Sequence, residues 1–334
     1  MSRAPLNRRF TVAPMMEWSD KHCRMLWRLI SHHSVLYSEM VTTGAVLHGF
    51  RERFLDFDPS EHPVALQLGG SNPSELAECA KLAQEWGYDE VNLNCGCPSD
   101  RVQNNMIGAI LMAHPNLVAD CIKAMQDAVE IPVTVKNRIG IDDMEDYPGL
   151  VKFVSTIAET GCNTFIVHAR KAWLQGLSPK ENREKPPLKY EMVYHLKQDF
   201  PDLEILINGG ITTLDECQQH LQHVDGVMMG REAYSNPYLL AEVDQRLYGD
   251  EHDIPSRMQV AEAYMAYIEK ELSNGTRLNH MTRHMLGLFQ GMPGARLFRR
   301  HISENATKPG AGIEVVEKAL EAITYRERKQ ALNG

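Results

Sequence analysis

The chain has 334 residues, of which 43% are hydrophobic and 24% are charged, a composition typical of globular domains. No apolar run is long enough to cross a bilayer, and the first seven residues lack the apolar core of a secretion signal. Seven scattered cysteines indicate free thiols rather than a disulfide framework. These features predict a cytoplasmic protein, expected as a monomer, with one large domain and a smaller one.

Charge is distributed unevenly along the chain. The formal net charge of -9 argues against a dedicated nucleic-acid coat protein. Residues 273 to 303, however, contain five arginines and no Asp or Glu, which leaves -14 for the rest of the chain. These arginines are Arg277, Arg283, Arg296, Arg299 and Arg300. The last three are spaced to share one helix face, so the segment predicts a local anionic partner, although a charged face that is merely solvated remains the alternative.

Strand-like and helix-like segments alternate from the N-terminus, the pattern of repeated βα units around a parallel sheet. Predicted strands lie near residues 10–14, 35–41, 63–68, 89–94, 131–136, 163–168, 204–208 and 225–229, and helical patterns such as 73–86 and 117–129 separate most of them. Eight such strands predict a TIM (β/α)8 barrel. A doubly wound sheet is the alternative, but its usual dinucleotide-binding glycines are missing after the first strand.

The pattern changes past about residue 249, where apolar residues recur at helical spacing. Ala261, Tyr264 and Ile268 belong to one stripe, and Val316 and Leu320 belong to another. The sequence therefore predicts a barrel domain over residues 1–248 and a C-terminal helical bundle over residues 249–334.

The stretch of residues 89–98 carries the clearest candidate chemistry. Strand alternation turns Asn92 and Asn94 to one face and Cys95 to the other. Two buried amides need polar partners, and Cys97 follows in a loop that can present a reactive group. A core strand with satisfied amides and an inert cysteine is the alternative. Cys95-Gly96-Cys97 lacks a second pair of ligands, so no metal site is predicted.

Polar residues also end the other predicted strands. Lys136 and His168 end otherwise apolar strands and would offer donors to one cavity, unless the lysine reaches solvent and the histidine is structural. Asn208-Gly209-Gly210 and Gly230-Arg231 follow strands seven and eight, where TIM barrels commonly bind phosphate, although plain turn glycines would give the same pattern. The long basic loop of residues 169–187 could contact a phosphate backbone.

Taken in order, these motifs resemble those of the tRNA-dihydrouridine synthases, specifically the bacterial A subfamily, over essentially the whole chain. The motifs are Ala13-Pro14-Met15-Met16-Glu17-Trp18-Ser19-Asp20, Gln67-Leu68-Gly69-Gly70, Asn92-Leu93-Asn94-Cys95-Gly96-Cys97-Pro98-Ser99, Val135-Lys136, His168-Ala169-Arg170, Asn208-Gly209-Gly210-Ile211 and Gly230-Arg231. Cys95 departs from the aliphatic residue usual in the family. Because it should face the surrounding helices, no catalytic role is predicted for it.

The resemblance implies an FMN-binding barrel and NADPH-driven reduction of uridines 20 and 20a in the tRNA D-loop. Hydride would pass from flavin N5 to uracil C6, and Cys97 would protonate C5. The residues implied to bind FMN are Pro14, Met15, Met16, Gln67, Lys136, His168, Asn208, Gly209, Gly210, Gly230 and Arg231. The residues implied to contact tRNA are Asn94, at the base, and Arg138, Arg170, Lys180, Arg183, Arg296, Arg299 and Arg300.

Other activities also fit parts of this pattern. A Schiff-base TIM-barrel lyase would use Lys136 as its nucleophile and need no flavin. An FMN-dependent reductase of free pyrimidines would not explain the basic loop and the arginine face. An RNA-binding protein without catalysis would have no need of Cys97.

Overall fold

In a computed structural model, residues 6–99, 105–144 and 146–331 are described, with side chains described as far as residue 324. Eight parallel strands form a closed barrel in sequence order, and the eighth pairs with the first. The strands are β1 (Phe10–Val12), β2 (Val35–Thr42), β3 (Val64–Gly69), β4 (Glu90–Cys95), β5 (Val133–Arg138), β6 (Thr164–His168), β7 (Glu204–Asn208) and β8 (Gly226–Met229). The predicted TIM barrel is confirmed, and the doubly wound alternative is wrong because the sheet closes on itself.

Helices separate the strands and fill the C-terminal region. They are α1 (Lys21–Arg28), α2 (Thr43–His48), α3 (Arg51–Leu55), α4 (Pro73–Trp86), α5 (Pro115–Gln126), α6 (Tyr147–Ala158), α7 (Tyr190–Asp199), α8 (Leu214–His220), α9 (Arg231–Ser235), α10 (Val243–Tyr248), α11 (Arg257–Ser273), α12 (Leu278–Thr282), α13 (Ala295–Asn305) and α14 (Glu314–Ala331). Short 3-10 helices lie at Pro59–Glu61, Gly108–Ala113, Glu181–Arg183, Pro237–Glu242 and Arg283–Gly287. Over the described residues, none of the helices has the length and apolarity needed to cross a membrane.

Local sequence signals explain where the barrel helices begin and end. Helix α4 follows Asn72, whose side chain accepts hydrogen bonds from the backbone N–H groups of Ser74 and Glu75, and Pro73 occupies its first turn. It ends at Gly87, which adopts a left-handed backbone with φ of 97°. Its apolar face is buried, so capping and amphipathicity together fix the bounds that the sequence predicted.

The chain divides into two compact units. The barrel unit comprises Met1–Ser19 and His33–Gly230, and the helical unit comprises Asp20–His32 and Arg231–Gly334. This division differs from the predicted boundary at residue 248, because α1 and the segment from residue 231 onward make their contacts within the helical unit.

Buried polar contacts hold α1 within the helical unit. Trp27 Nε1 donates to the Ala233 carbonyl at 2.8 Å, and the Tyr264 hydroxyl donates to the His22 carbonyl at 3.0 Å. Both the Trp27 and Tyr264 side chains are fully buried. These contacts link residues far apart in sequence, which is why the sequence pattern alone assigned α1 to the barrel.

Candidate active site at the carboxyl end of the barrel

Strand register brings the predicted polar residues to one end of the barrel. Asn94 on β4 pairs in register with Lys136 on β5. Arg138, at the end of β5, lies opposite His168 on β6, and His168 lies opposite Asn208 on β7. The carboxyl ends of neighbouring strands therefore place these five side chains at the working face of the fold.

The two asparagines of β4 are satisfied inside the barrel. Gln67 Nε2 donates to Asn92 Oδ1 at 2.9 Å, and Asn94 Nδ2 donates to Gln67 Oε1 at 2.8 Å. Asn92 Nδ2 donates to Thr134 Oγ1 at 2.8 Å. The inward face predicted for the amides is confirmed, and the partners are side chains of β3 and β5, the two neighbouring strands.

This network continues to an ion pair at the amino end of the barrel. The Thr134 and Tyr37 hydroxyls donate to Glu90 Oε1 at 2.5 and 2.6 Å, and Arg8 Nε donates to Glu90 Oε2 at 2.6 Å. Glu90 is fully buried. Glu90 is not among the residues predicted from sequence, although its position two residues before Asn92 places it on the same strand face. We define the amide network as Glu90, Thr134, Asn92, Gln67 and Asn94.

The loop that carries Cys97 is held at several backbone positions. Asn94 Oδ1 accepts from the N–H groups of both Gly96 and Cys97 at 3.0 Å. The Cys97 carbonyl accepts from Ala109 N–H at 2.8 Å. Gly108 packs so closely that an added Cβ would lie 2.4 Å from the Cys97 carbonyl oxygen. Asn94, predicted to contact the base, thus also positions the cysteine loop.

Cys97 is partly exposed, whereas Cys95 is buried. Burial raises the pKa of the Cys95 thiol well above its usual value, with the nearby Cys121 and Cys162 adding to the shift. Cys95 is therefore a poor acid or nucleophile at neutral pH. The prediction that it faces away from the amide face of β4 is confirmed by strand alternation and burial.

Lys136 is the positive group of the candidate site. Burial, reinforced by the Arg138 charge, lowers the pKa of its ammonium to about 7. Within the described part of the chain, the ammonium makes no hydrogen bond or ion pair. A bound anion would favour its charged form, so this side chain suits an anionic or acceptor-rich ligand.

His168 offers a neutral donor. Burial, and then the charges of Arg138 and Lys136, lower the pKa of His168 well below its usual value. Its Nδ1 accepts from Arg170 N–H at 3.3 Å. The proton of the neutral ring therefore belongs on Nε2, which is left to donate to a ligand.

Glycines shape the loops after β7 and β8. Gly209 and Gly210 have φ of 118° and 72°, values that residues other than glycine rarely adopt. A Cβ on Gly230 would meet only Ala13 and Met15, both at ordinary contact distance, so the backbone there is open to a close ligand. Arg231 begins α9 in the helical unit.

The loop after β1 contains the remaining residues predicted to bind the cofactor. Pro14 and Met15 are half-buried, and Met15 packs against the barrel core. Met15 N–H donates to Ser19 Oγ at 2.8 Å, which fixes the loop. Met16 is 57% exposed, an unusual state for methionine that leaves a flexible apolar side chain available for contact.

Arg138 lies in a different environment from the one predicted. Its side chain is only 4% exposed. Its guanidinium donates to the carbonyls of Gly96 at 2.8 Å, Lys171 at 3.0 Å and Asn182 at 3.1 Å. The predicted contact with the tRNA backbone does not match this buried position, because the donors already bind backbone carbonyls. Arg138 instead joins the cysteine loop to the loop after β6.

The other predicted tRNA contacts differ in exposure. Arg170 is half-buried and donates to the Glu184 and Pro186 carbonyls. Lys180 and Arg183 are exposed in the barrel unit. Arg296, Arg299 and Arg300 are exposed on α13 in the helical unit. These five side chains are exposed to solvent.

These residues fit a flavin phosphate and ring system by the chemistry of their donors. Lys136 provides a desolvated ammonium, His168 a neutral N–H donor, and Gly209 and Gly210 backbone N–H groups in a conformation that permits close approach.

The closed barrel of eight parallel strands, with polar side chains at its carboxyl end, places the chain among the TIM-barrel proteins. A family model described as dihydrouridine synthase (Dus) matches residues 11–324. The chain therefore belongs to the dihydrouridine synthase family.

Relatives with assigned names are similar along nearly the whole chain. The tRNA-dihydrouridine(20/20a) synthase of Vibrio cholerae serotype O1 is 64% identical over 320 residues, covering 96% of this chain and 98% of the relative. The protein of the same name from Escherichia coli K12 is 60% identical over 316 residues, covering 94% of this chain and 91% of the relative. Among solved structures, an old yellow enzyme homologue from Zymomonas mobilis matches with a TM-score of 0.52 and 11% identity, covering 75% of this chain and 91% of that one. That likeness concerns the fold alone.

Proposed function

We propose that this protein reduces uridines in the D-loop of tRNA to 5,6-dihydrouridine, with positions 20 and 20a as targets. The observation that carries the proposal is the match to the dihydrouridine synthase family over residues 11–324, together with relatives more than 60% identical that are named for this reaction. A tRNA substrate implies action in the cytoplasm, and we propose a monomer as the working form.

The flavin of this family is proposed to be FMN, with NADPH as its reductant. Lys136, His168 and the Gly209-Gly210 turn would bind it, together with Gly230, Arg231, Asn208 and the loop Pro14 to Met16. When bound, the flavin supplies the hydride that reduces the uracil ring. Gln67 retains one amide N–H beyond its bond to Asn92, which is available to a ring acceptor.

Cys97 is proposed to donate the proton that completes the reduction. The acid must stand near the uracil while its backbone stays fixed, and the bonds from Asn94 and Ala109 hold the loop in this way. A protonated thiol can donate to the carbon on which negative charge develops during the reduction. The remaining N–H of Asn94 Nδ2 is proposed to contact the base.

The exposed cations are proposed to bind the tRNA backbone. Lys180 and Arg183 lie in the barrel unit, and Arg296, Arg299 and Arg300 lie on α13. Such contacts add affinity without reading sequence and weaken as salt rises. The target uridine has to leave its stack to be reduced, which costs less in a single-stranded loop than in a duplex.

Product mapping tests this proposal. Undermodified tRNA is incubated with the protein, FMN and NADPH, and dihydrouridine is located by mass spectrometry of nuclease fragments. We expect reduction at positions 20 and 20a only. Reduction of free uridine or uracil, with intact tRNA unchanged, would contradict the proposal and favour the reductase of free pyrimidines.

The lowered pKa of Lys136 is also what a Schiff-base lysine requires, because a neutral amine is the nucleophile. Family membership favours the flavin-binding role instead. Borohydride trapping with a carbonyl substrate distinguishes the two, because a covalent adduct on Lys136 is expected only of a lyase.

A further inference from the structure

Three side chains converge within the helical unit. They are His32, which follows α1, Asp244 on α10, and His252 in the segment before α11. One ligand atom from each lies within 4.8 Å of the other two. Two imidazoles and a carboxylate form a donor set that borderline metal ions such as Zn²⁺ bind in proteins.

Asp244 is held in a fixed orientation. Its side chain is 1% exposed. Its Oδ1 accepts from the Ser31 hydroxyl at 2.7 Å, and its Oδ2 accepts from His32 N–H at 2.5 Å. Hydrogen bonds to a ligating carboxylate are a regular feature of metal sites, because they fix the direction of its lone pairs.

His252 has buried ring nitrogens for which the described residues provide no hydrogen-bond partner. Both ring nitrogens are shielded from solvent, and neither makes a hydrogen bond to a described residue. Its Nε2 lies 3.7 Å from Asp244 Oδ2, too far for a hydrogen bond. Two atoms that share one tetrahedral ion lie about 3.3 Å apart when each bond is about 2.0 Å, so the spacing suits joint ligation.

A second carboxylate supports the same histidine. Asp250 Oδ2 lies 3.2 Å from His252 Nδ1. A carboxylate close to the ring nitrogen opposite to the metal is a regular feature of metal sites. The His32 ring stacks on the His252 ring with centroids 4.6 Å apart. One nitrogen of each ring lies within 4.8 Å of the Asp244 carboxylate.

We propose that His32, Asp244 and His252 bind one divalent metal ion of the Zn²⁺ class. The ion would join the end of α1 to the segment after α10 within the helical unit, and its effect would be on the stability of that unit. The inference departs from the sequence prediction of no metal site, which rested on the lack of a second Cys/His pair at suitable spacing after Cys95-Gly96-Cys97.

Calorimetric titration of the chelator-treated, full-length protein with Zn²⁺ tests the proposal. All samples carry Cys97→Ser, so that this partly exposed thiol does not bind the ion. We expect one Zn²⁺ per chain and a higher unfolding temperature with Zn²⁺ present. His32→Asn and His252→Asn should each weaken binding at least tenfold and abolish the rise in temperature.

His33→Asn is the matched control, because it removes a neighbouring exposed histidine that is not part of the cluster. It should bind Zn²⁺ as the parent protein does. His32 is exposed, and circular dichroism checks that the His32→Asn variant keeps its fold. Absence of Zn²⁺ binding in the parent, or binding as tight as the parent's in His32→Asn and His252→Asn, would overturn the proposal.

Discussion

At the residue scale, catalysis is proposed to depend on how firmly the Cys97 loop is held. The loop is fixed from one side by Asn94 and from the other by Ala109, and Gly108 leaves room for the Cys97 carbonyl. A proton donor displaced by about 1 Å can lose about 100-fold in rate, so contacts to its backbone matter as much as the thiol itself.

Gly108→Ala should slow the reduction of tRNA at least tenfold while flavin stays bound. The new Cβ would lie 2.4 Å from the Cys97 carbonyl, and the backbone there has φ of 84°. Gly161→Ala is the control: it has φ of 93°, with nothing within 4 Å of the added Cβ. Rates with bound flavin are compared in single-turnover experiments. Equal rates for the two variants would show that the contact with Cys97 has no effect.

Lys136→Met should stabilise the flavin-free protein at pH 7 by about 1–3 kcal/mol. Burial lowers the pKa of Lys136 to about 7, below the value of about 10.4 in an unfolded chain. Between these pH values the unfolded chain binds more protons than the folded one. The loss of stability caused by burying the Lys136 ammonium in the wild type is therefore fully present below pH 7 and disappears above about pH 10.4.

Urea unfolding from pH 6 to 10 measures this effect. The advantage of Lys136→Met should shrink as pH rises, whereas its affinity for FMN should fall. Lys123→Met, at a 56% exposed position on α5, should change stability little. An advantage for Lys136→Met that is constant with pH would mean that desolvation of the ammonium is not its cause.

At the element scale, β4 links the chemistry of the site to the barrel interior. Its inward residues Glu90, Asn92 and Asn94 form one hydrogen-bonded series with β3 and β5. A buried network whose members are all satisfied stabilises one arrangement of the site, whereas a missing member leaves polar atoms without partners.

Thr134→Val should destabilise the protein by about 1–3 kcal/mol. The change keeps the shape but removes a donor to Glu90 and the acceptor of Asn92. Thr11→Val is matched in burial, and its hydroxyl makes one long bond, 3.4 Å, to the Val227 carbonyl. Thr11→Val should therefore lower the free energy of unfolding, measured with urea, by less than about 1 kcal/mol. A similar loss in both variants would contradict a special role for the network.

Much of β4 could be predicted from sequence, because a two-residue period fixes which side chains share a face. The same rule applied to the other strands gave the barrel with ends correct to a few residues. The partners could not be predicted, since Arg8, Tyr37 and Thr134 reach Glu90 only through the closed barrel. The surroundings of Arg138 could not be predicted for the same reason. Its position at a strand end indicated a cation at the mouth of the barrel, but its guanidinium binds backbone carbonyls from two loops.

At the scale of the whole molecule, the basic residues are concentrated in one segment of a chain that is acidic elsewhere. The net charge is -9, yet residues 273 to 303 contain only basic charged residues. The acidic remainder would repel RNA in general, whereas α13 and the loop after β6 offer cations to one partner.

Arg299→Ala should weaken binding of tRNA and reduce the slope of log affinity against log salt by about 1. Lys152→Ala removes one exposed positive charge from α6 on the barrel exterior and serves as the control. Filter binding from low to moderate salt measures both slopes. If the two variants give the same slope as the wild type, α13 does not contact the phosphate backbone.

The visible spectrum of the purified protein, followed by NADPH and then undermodified tRNA in the same cuvette, tests the central claim most directly. The account predicts oxidised-flavin absorption that NADPH bleaches and tRNA restores, with slow recovery in Cys97→Ala because the proton donor is missing. A protein that cannot be reconstituted with FMN, or a bleached flavin that tRNA does not reoxidise in the absence of oxygen, would contradict it.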